Sequence, residues 1–316
     1  SEKIDGPWKK QLIEGFYHDG SLLFDEDGRN YIVYGNDEIW ITELNEDLTA
    51  PKKDGLHRLL VSDHKNPELG YEGSHIQKIN GYYYIFLIHS LRDRWMRTEA
   101  CFYSDSLEGE FTGGDVLCDD RGYCGQGVAQ GGIVDTPDGK WYAMLFQDSG
   151  AVGRIPILLP VTWKDHFPFF GQNGHVPEEI EVHSTRPGYI YQPLVGSDDF
   201  CNGLLPRWQF NHDPDPRYYH LDALQGTYTI TTREVCTELT QAVNTLTQRM
   251  SYPSCAAEVT VDASALKEGD VAGLCALQGC YAAVGITKHH GKYEVLMLDK
   301  KEDGILDMTE GTVVES

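Results

Sequence analysis

The sequence predicts an all-β protein, with β-propeller blades in residues 1–195 and a β-sandwich in residues 196–316. Three observations lead there. Three stretches repeat one pattern in register: they start at Asp19, Glu72 and Gln130, and a glycine follows nine residues later at Gly28, Gly81 and Gly139. In each, an Asp-Gly or Asn-Gly turn is followed by a tyrosine three residues on, Tyr31, Tyr84 or Tyr142, inside an aromatic, strand-like run. Beyond residue 195 the repeat stops and short alternating segments separated by turn residues take over.

Each element has a local reason. Asp27-Gly28, Asn80-Gly81 and Asp138-Gly139 are hairpin signals, because type I′ turns need positive φ at both central residues. The runs Tyr31–Tyr34, Tyr82–Ile88 and Trp141–Phe146 form the returning strands, and Glu38–Leu44, Glu99–Tyr103 and Arg154–Val161 continue each unit. The turn glycines are 53 and 58 residues apart. That spacing suits a four-stranded antiparallel blade, and a unit used three times is the signature of a propeller. Residues 177–187 carry no strand pattern. After them, Thr227–Thr232, Ala256–Val261, Tyr281–Ile286 and Tyr293–Leu298 read as sandwich strands. Propellers close with about four to eight blades. Three blades leave two sheet faces open, to be covered by a further segment or a partner chain.

Composition narrows the function. With 26 Lys and Arg against 49 Asp and Glu the net charge is −23, which disfavours nucleic acid and anionic membranes but tolerates a neutral sugar. The eight cysteines show no CxxC pairing and read as free thiols, with disulfides as the alternative. In a propeller the innermost strand of each blade lines the central channel, so the shared register predicts that Asp19, Glu72 and Gln130 occupy equivalent positions there. Two carboxyls in one pocket perturb each other, and such a pair is the minimum equipment for cutting a glycosidic bond. The same residues also read as turn acids bonded to local backbone, and Gln130 equally as a structural hydrogen-bonding residue.

Four motifs carry a resemblance. The strings His18-Asp19-Gly20-Ser21-Leu22-Leu23-Phe24, Tyr71-Glu72-Gly73-Ser74-His75-Ile76, Gly127-Val128-Ala129-Gln130-Gly131-Gly132-Ile133-Val134, and Gly153-Arg154-Ile155-Pro156 with Leu159-Pro160-Val161-Thr162-Trp163 resemble glycoside hydrolase family 43. The closest likeness is to the branch with a C-terminal β-sandwich, which removes α-L-arabinofuranosyl or β-D-xylosyl residues from plant cell-wall polysaccharides. The resemblance implies a five-bladed propeller and an inverting reaction. It implies Glu72 as general acid, Asp19 as the auxiliary acid that raises its pKa and orients it, and Arg154 as a substrate contact in the terminal subsite. His18, beside Asp19, joins the substrate-binding candidates. Gln130 stands where many members have a histidine near an axial metal or water. The residues here do not support a calcium ion at that axis, and no cofactor is expected. The family's general base is an aspartate of the first blade, expected to lie before Ser1. The chain is therefore read as starting inside the second blade, at Ile4–Trp8, and as unable to invert efficiently alone.

Smaller signals have two readings each. Trp95, on a loop, either stacks on a sugar face or packs locally. Trp40 and Trp141 follow strand periodicity into the core. His75, three residues after Glu72, falls on the opposite side of the strand by simple alternation. Asp213-Pro214-Asp215-Pro216 is a stiffened turn rather than a calcium site, and His289-His290-Gly291 an exposed hairpin turn. The leading expectation is an arabinofuranosidase or xylosidase acting on arabinose- or xylose-containing glycans. Its alternatives are an exo-1,5-α-L-arabinanase, a carbohydrate-binding protein without catalysis, and a propeller scaffold for protein contacts.

Overall fold

The computed structural model describes residues 3–182, 184, 186–251, 254–300 and 312–315. The chain divides into two compact units, residues 1–149 with 154–183 and residues 150–153 with 184–316.

The first unit consists of three four-stranded antiparallel sheets, each a meander of consecutive strands. Blade one holds β1 (Ser21–Phe24), β2 (Asn30–Asn36), β3 (Glu38–Leu44) and β4 (His57–Ser62). Blade two holds β5 (Glu72–Ile79), β6 (Tyr82–Ser90), β7 (Arg97–Ser104) and β8 (Thr112–Leu117). Blade three holds β9 (Ala129–Asp135), β10 (Trp141–Asp148), β11 (Arg154–Lys164) and β12 (Phe167–Phe170). The blade strands read from the sequence are all present.

Two apolar cores stitch the blades face to face. Leu23, Tyr31, Val33, Ile39 and Ile41 of blade one meet Ile76, Ile85 and Leu87 of blade two. Tyr84, Phe86 and Cys101 on the other face of blade two meet Ile133, Ala143, Leu145 and Leu159 of blade three. Trp141 packs against this second core, as its periodicity predicts, while Trp40 is half-buried and stacks on His57. A buried polar link adds direction: Asp25 of blade one accepts from Lys78 Nζ at 2.6 Å and Tyr83 Oη at 2.5 Å in blade two. The outward faces of the first and third blades remain apolar and exposed, with Leu22 and Phe24 on one and Val134, Met144 and Phe169 on the other.

The repeat is real, but its sequence register is not its structural one. Asn80-Gly81 closes β5–β6 as a two-residue turn with φ of 51° and 85°, as expected. The other two hairpins use five residues, 25–29 and 136–140, in which only Gly28 and Gly139 have positive φ, so these are not type I′ turns. The difference shifts blade two by one position. Tyr31 faces Leu23 and Tyr142 faces Val134, four residues after Asp19 and Gln130, whereas Tyr84 faces Gln77, five after Glu72. Glu72 is therefore equivalent to His18 and Ala129. Asp19 is equivalent to Gly73 and Gln130, and these three share a left-handed backbone with φ of 47°, 64° and 64°.

The second unit holds two small two-stranded ribbons, β13 (Gln209–Phe210) with β16 (Leu246–Thr247) and β14 (Tyr219–Asp222) with β15 (Thr227–Ile230). It also holds a four-stranded antiparallel sheet of β17 (Val271–Gln278), β18 (Cys280–His289), β19 (Lys292–Lys300) and β20 (Thr312–Glu315). Ala256–Val261, expected as a strand, is irregular: its side chains are nearly all exposed, so no buried face rewards pairing. His290-Gly291 forms the expected tight hairpin turn. Asp215 is a turn residue whose carboxyl is held down to about 2 by hydrogen bonds from Arg217. All eight cysteines are free thiols. No helix among the described residues is long and apolar enough to cross a membrane.

Leu87 is completely buried between blades one and two. Leu87→Ala should cost about 2–5 kcal/mol, because the sheets on both sides cannot collapse into the cavity. Urea unfolding of the variant checks this; a loss under about 1 kcal/mol would place Leu87 outside the load-carrying core.

Candidate active site

The site is built by one backbone device used three times. At the start of each innermost strand, two residues oppose one on the neighbouring strand: Asp19-Gly20, Gly73-Ser74 and Gln130-Gly131. This is a β-bulge with its first residue left-handed. In blade three the second residue must be glycine, because a Cβ on Gly131 would lie 2.0 Å from the Met144 carbonyl oxygen. In blade two Gly73 is the left-handed residue, and a Cβ there would lie 2.7 Å from the Gln130 side chain. The bulges bring neighbouring inner strands close enough to bond across blades. The Gly73 N–H donates to Asp19 Oδ2 at 3.1 Å, Ser74 Oγ reaches the Asp19 carbonyl at 2.8 Å, and the Ile76 N–H donates to Ser21 Oγ at 3.2 Å.

Asp19, Gly20, Ser21, Gly73, Ser74, His75 and Gln130 line an open cavity of about 220 Å³. Glu72 and His18 stand beside it. His18 Nε2 is 3.3 Å from Glu72 Oε2 and 3.7 Å from Asp19 Oδ2. Asn36 at the end of β2 donates to Glu72 Oε2 at 2.8 Å. Asp19 and Glu72 thus converge as expected, although their backbone positions are not equivalent.

His75 corrects the sequence reading. Simple alternation put it away from the site, but the bulge at Gly73 and Ser74 resets the alternation and turns His75 onto the cavity wall. His75 keeps an exposed surface on the open cavity, while the blade walls packed around its ring exclude water and lower its imidazole pKa, the Asp19 charge working against that.

Arg154 is 64% exposed and does not line the cavity. Its guanidinium lies over the Phe146 ring at 4.4 Å, with Nε 3.5 Å from Asp148 Oδ1. Arg97, only 4% exposed, shares both partners: it pairs with Asp148 Oδ2 and lies 4.9 Å from the Phe146 centroid. Trp95 is half-exposed on the β6–β7 loop and packs over Gly125 rather than into the cavity.

Behind Gln130 is Glu99, fully buried. Its Oε2 accepts the Gln130 N–H at 2.6 Å, and its Oε1 has no hydrogen-bond partner among the described residues. Burial pushes its carboxyl well above the usual range, against the Gln130 N–H and the Arg97 charge, so the group is held neutral. Arg97, Glu99, Phe146, Asp148 and Asn36 escaped the sequence reading. In sequence, Arg97 and Glu99 are ordinary alternating residues of a strand. Only the inner-strand geometry gives them partners. Among the described residues, the one converging set of three ligand-type side chains is His18, Asp19 and Glu72.

Propeller-type blades, a paired-carboxyl pocket and a following β-domain define a class of carbohydrate-active proteins. Residues 1–168 match the family model for glycosyl hydrolases family 43, and residues 197–315 match the β-xylosidase C-terminal concanavalin A-like domain. The chain belongs to glycoside hydrolase family 43. It is 25% identical to a β-xylosidase of Formosa agariphila, over 95% of this chain and 60% of that protein. It is 26% identical to xylosidase/arabinosidase 43B of Humicola insolens, over 87% of this chain and 54% of that protein. A bifunctional GH43-CE protein of Bacteroides eggerthii superposes with a TM-score of 0.81 at 38% identity, covering 99% of this chain and 40% of that one. The chain thus spans little more than half the length of these curated relatives.

The buried carboxyl gives a pH prediction. Unfolded, Glu99 releases its proton in the ordinary range near about 4.3; folded, it keeps the proton to higher pH. The folded state therefore binds more protons, and this residue's contribution to stability falls as pH rises above that range. Glu99→Gln keeps a carbonyl acceptor for the Gln130 N–H and removes the titration. Its melting temperature relative to wild type should be higher at about pH 8 than at about pH 4.5. The same offset at both values would mean that Glu99 ionises alike folded and unfolded.

Proposed function

We propose that the protein is an inverting exo-glycosidase that removes α-L-arabinofuranosyl or β-D-xylosyl residues from plant cell-wall glycans. The observation carrying this reading is the convergence of Asp19 and Glu72, from adjacent blades, on one open cavity in a family 43 chain. The relatives named above support a pentose substrate, and exo-1,5-arabinan chains remain within that class. The family matches, which leave residues 169–196 uncovered, support a boundary near residue 195 between the propeller and the sandwich.

In this reading Glu72 protonates the leaving glycosidic oxygen while water attacks the anomeric carbon from the other side. The ligand oxygens of Asp19 and Glu72 lie within 4.8 Å of each other. An inverting acid and base stand about 6.5–9.5 Å apart to admit the water. Asp19 is therefore too close to Glu72 to be the base, and its fixed bond from the Gly73 N–H suits the task of orienting the acid. A third carboxylate, outside this pair, takes the water's proton. His18, Gln130 and His75 offer hydrogen bonds to sugar hydroxyls. Arg154 and Trp95, both exposed and outside the cavity lining, are assigned in this reading to a flanking sugar.

Glu72→Ala, in the protein that carries this chain, should lower kcat/KM by about 10²–10⁴-fold on an unactivated pentobioside. The loss should be much smaller on a nitrophenyl pentoside, whose leaving group needs little protonation. Equal losses on both substrates would remove Glu72 from the acid role. Sugar binding without turnover in wild type would favour a carbohydrate-binding protein.

A further inference from the structure

We propose that His18, Asp19 and Glu72 together bind a borderline divalent cation of the zinc type, and that the bound ion blocks the sugar-cleaving site. The proposed blockage rests on the hydrolase reading above; the binding itself does not. One imidazole nitrogen and two carboxylate oxygens lie within 4.8 Å of one another. The distances from His18 Nε2, 3.3 Å to Glu72 and 3.7 Å to Asp19, are close to the spacing of neighbouring ligands around an ion held at about 2.0–2.2 Å.

The donor set chooses the metal. An imidazole with two carboxylates suits zinc and its neighbours, whereas calcium wants six to eight oxygens, which three side chains do not supply. The convergence is also imposed by the fold. His18 and Glu72 are matched residues immediately before the bulges of adjacent blades, and Asp19 is the left-handed residue of its own bulge. Outer partners already aim the carboxylates: the Gly73 N–H holds Asp19 Oδ2 and the Asn36 amide holds Glu72 Oε2. All three side chains are partly exposed, so an ion reaches them from solvent. The ion would take the Glu72 oxygen that the leaving group needs, making metal and substrate competitors.

The test uses the folded chain with its accessible thiols alkylated, because free cysteines bind zinc themselves; Cys101, enclosed in the second core, is out of reach of both reagent and ion. Zinc is titrated in competition with a chromophoric chelator. Wild type should show one site that His18→Ala removes and that Glu72→Gln weakens by about 10–100-fold or more. A control variant, His289→Ala with His290→Ala, should keep that site. Circular dichroism confirms that each variant is folded. Equal zinc stoichiometry and affinity in wild type, His18→Ala and Glu72→Gln would overturn the proposal and place the ion elsewhere. A second arm measures pentosidase activity of the protein that carries this chain. Zinc inhibition competitive with substrate supports the blocking role, and inhibition independent of substrate concentration overturns it. A chain that binds zinc at His18 in a protein without pentosidase activity would keep the metal site and sink the hydrolase reading alone.

Discussion

One extra residue at the head of each inner strand shapes the site. An uninterrupted ladder would alternate side chains between the two neighbouring blades and leave the axis to the backbone. The bulge breaks that alternation once per blade, bends the strand and exposes a polar residue where the blades meet. Asp19, Gly73 and Gln130 all occupy this left-handed position. Only glycine adopts it without cost. Two of the three blades therefore hold a polar, cavity-lining side chain in a conformation that the surrounding packing must maintain. The third yields the position to Gly73, whose bare Cα lets the Gln130 side chain lie against it and whose N–H fixes Asp19. Strain, close approach and carboxylate orientation are aspects of the same backbone turn.

The polar groups behind the cavity explain how such a turn stays put. Gln130 is the least comfortable of the three left-handed residues, since its long side chain gains nothing locally from that conformation. Its N–H is tied to Glu99, whose burial leaves it protonated and thus a neutral acceptor rather than a charge in need of a counterion. Next to it, Arg97 is buried with its charge matched by Asp148 and its flat face set on Phe146. Burial disfavours charge, but a bound carboxylate and an aromatic face recover part of that cost. Arg154 shares the same carboxylate and ring from the exposed side, so an exposed arginine and a buried one rest on common partners.

The blades and their pairing partners were legible because they rest on period-two alternation and turn chemistry, which are local. Tyr31, Tyr84 and Tyr142 were read inside strand-like runs and lie in the second strand of each blade, and the strand content of all three blades followed. The convergence of Asp19 and Glu72 was also legible, but for a reason that is only partly right. The nine-residue spacing equated Glu72 with Asp19, whereas a two-residue turn at Asn80-Gly81 shifts blade two and equates it with His18. A spacing count cannot tell a shorter turn plus a longer strand from the reverse. The same slip hid His75. Arg97 and Glu99 were hidden differently: their partners Asp148 and Gln130 are more than thirty residues away, and no local period joins them.

The charge pattern constrains what the cavity can recognise. A chain of net charge −23 offers no long-range attraction to a neutral pentose, and it repels anionic polymers. Arg97 and Arg154 both pair with Asp148 and lie over the Phe146 ring, so their charge is matched locally rather than projected as a positive field. A neutral ligand of this cavity would depend on short, directed hydrogen bonds, which are sensitive to position to fractions of an ångström. Rigid inner strands, bulges braced by cross-blade bonds and a buried neutral carboxyl supply that precision. His18, Asp19 and Glu72 sit together on the partly exposed side of the site, where solvent reaches them. Buried bracing behind the cavity and accessible polar groups in front of it follow from where the bulges fall along each inner strand.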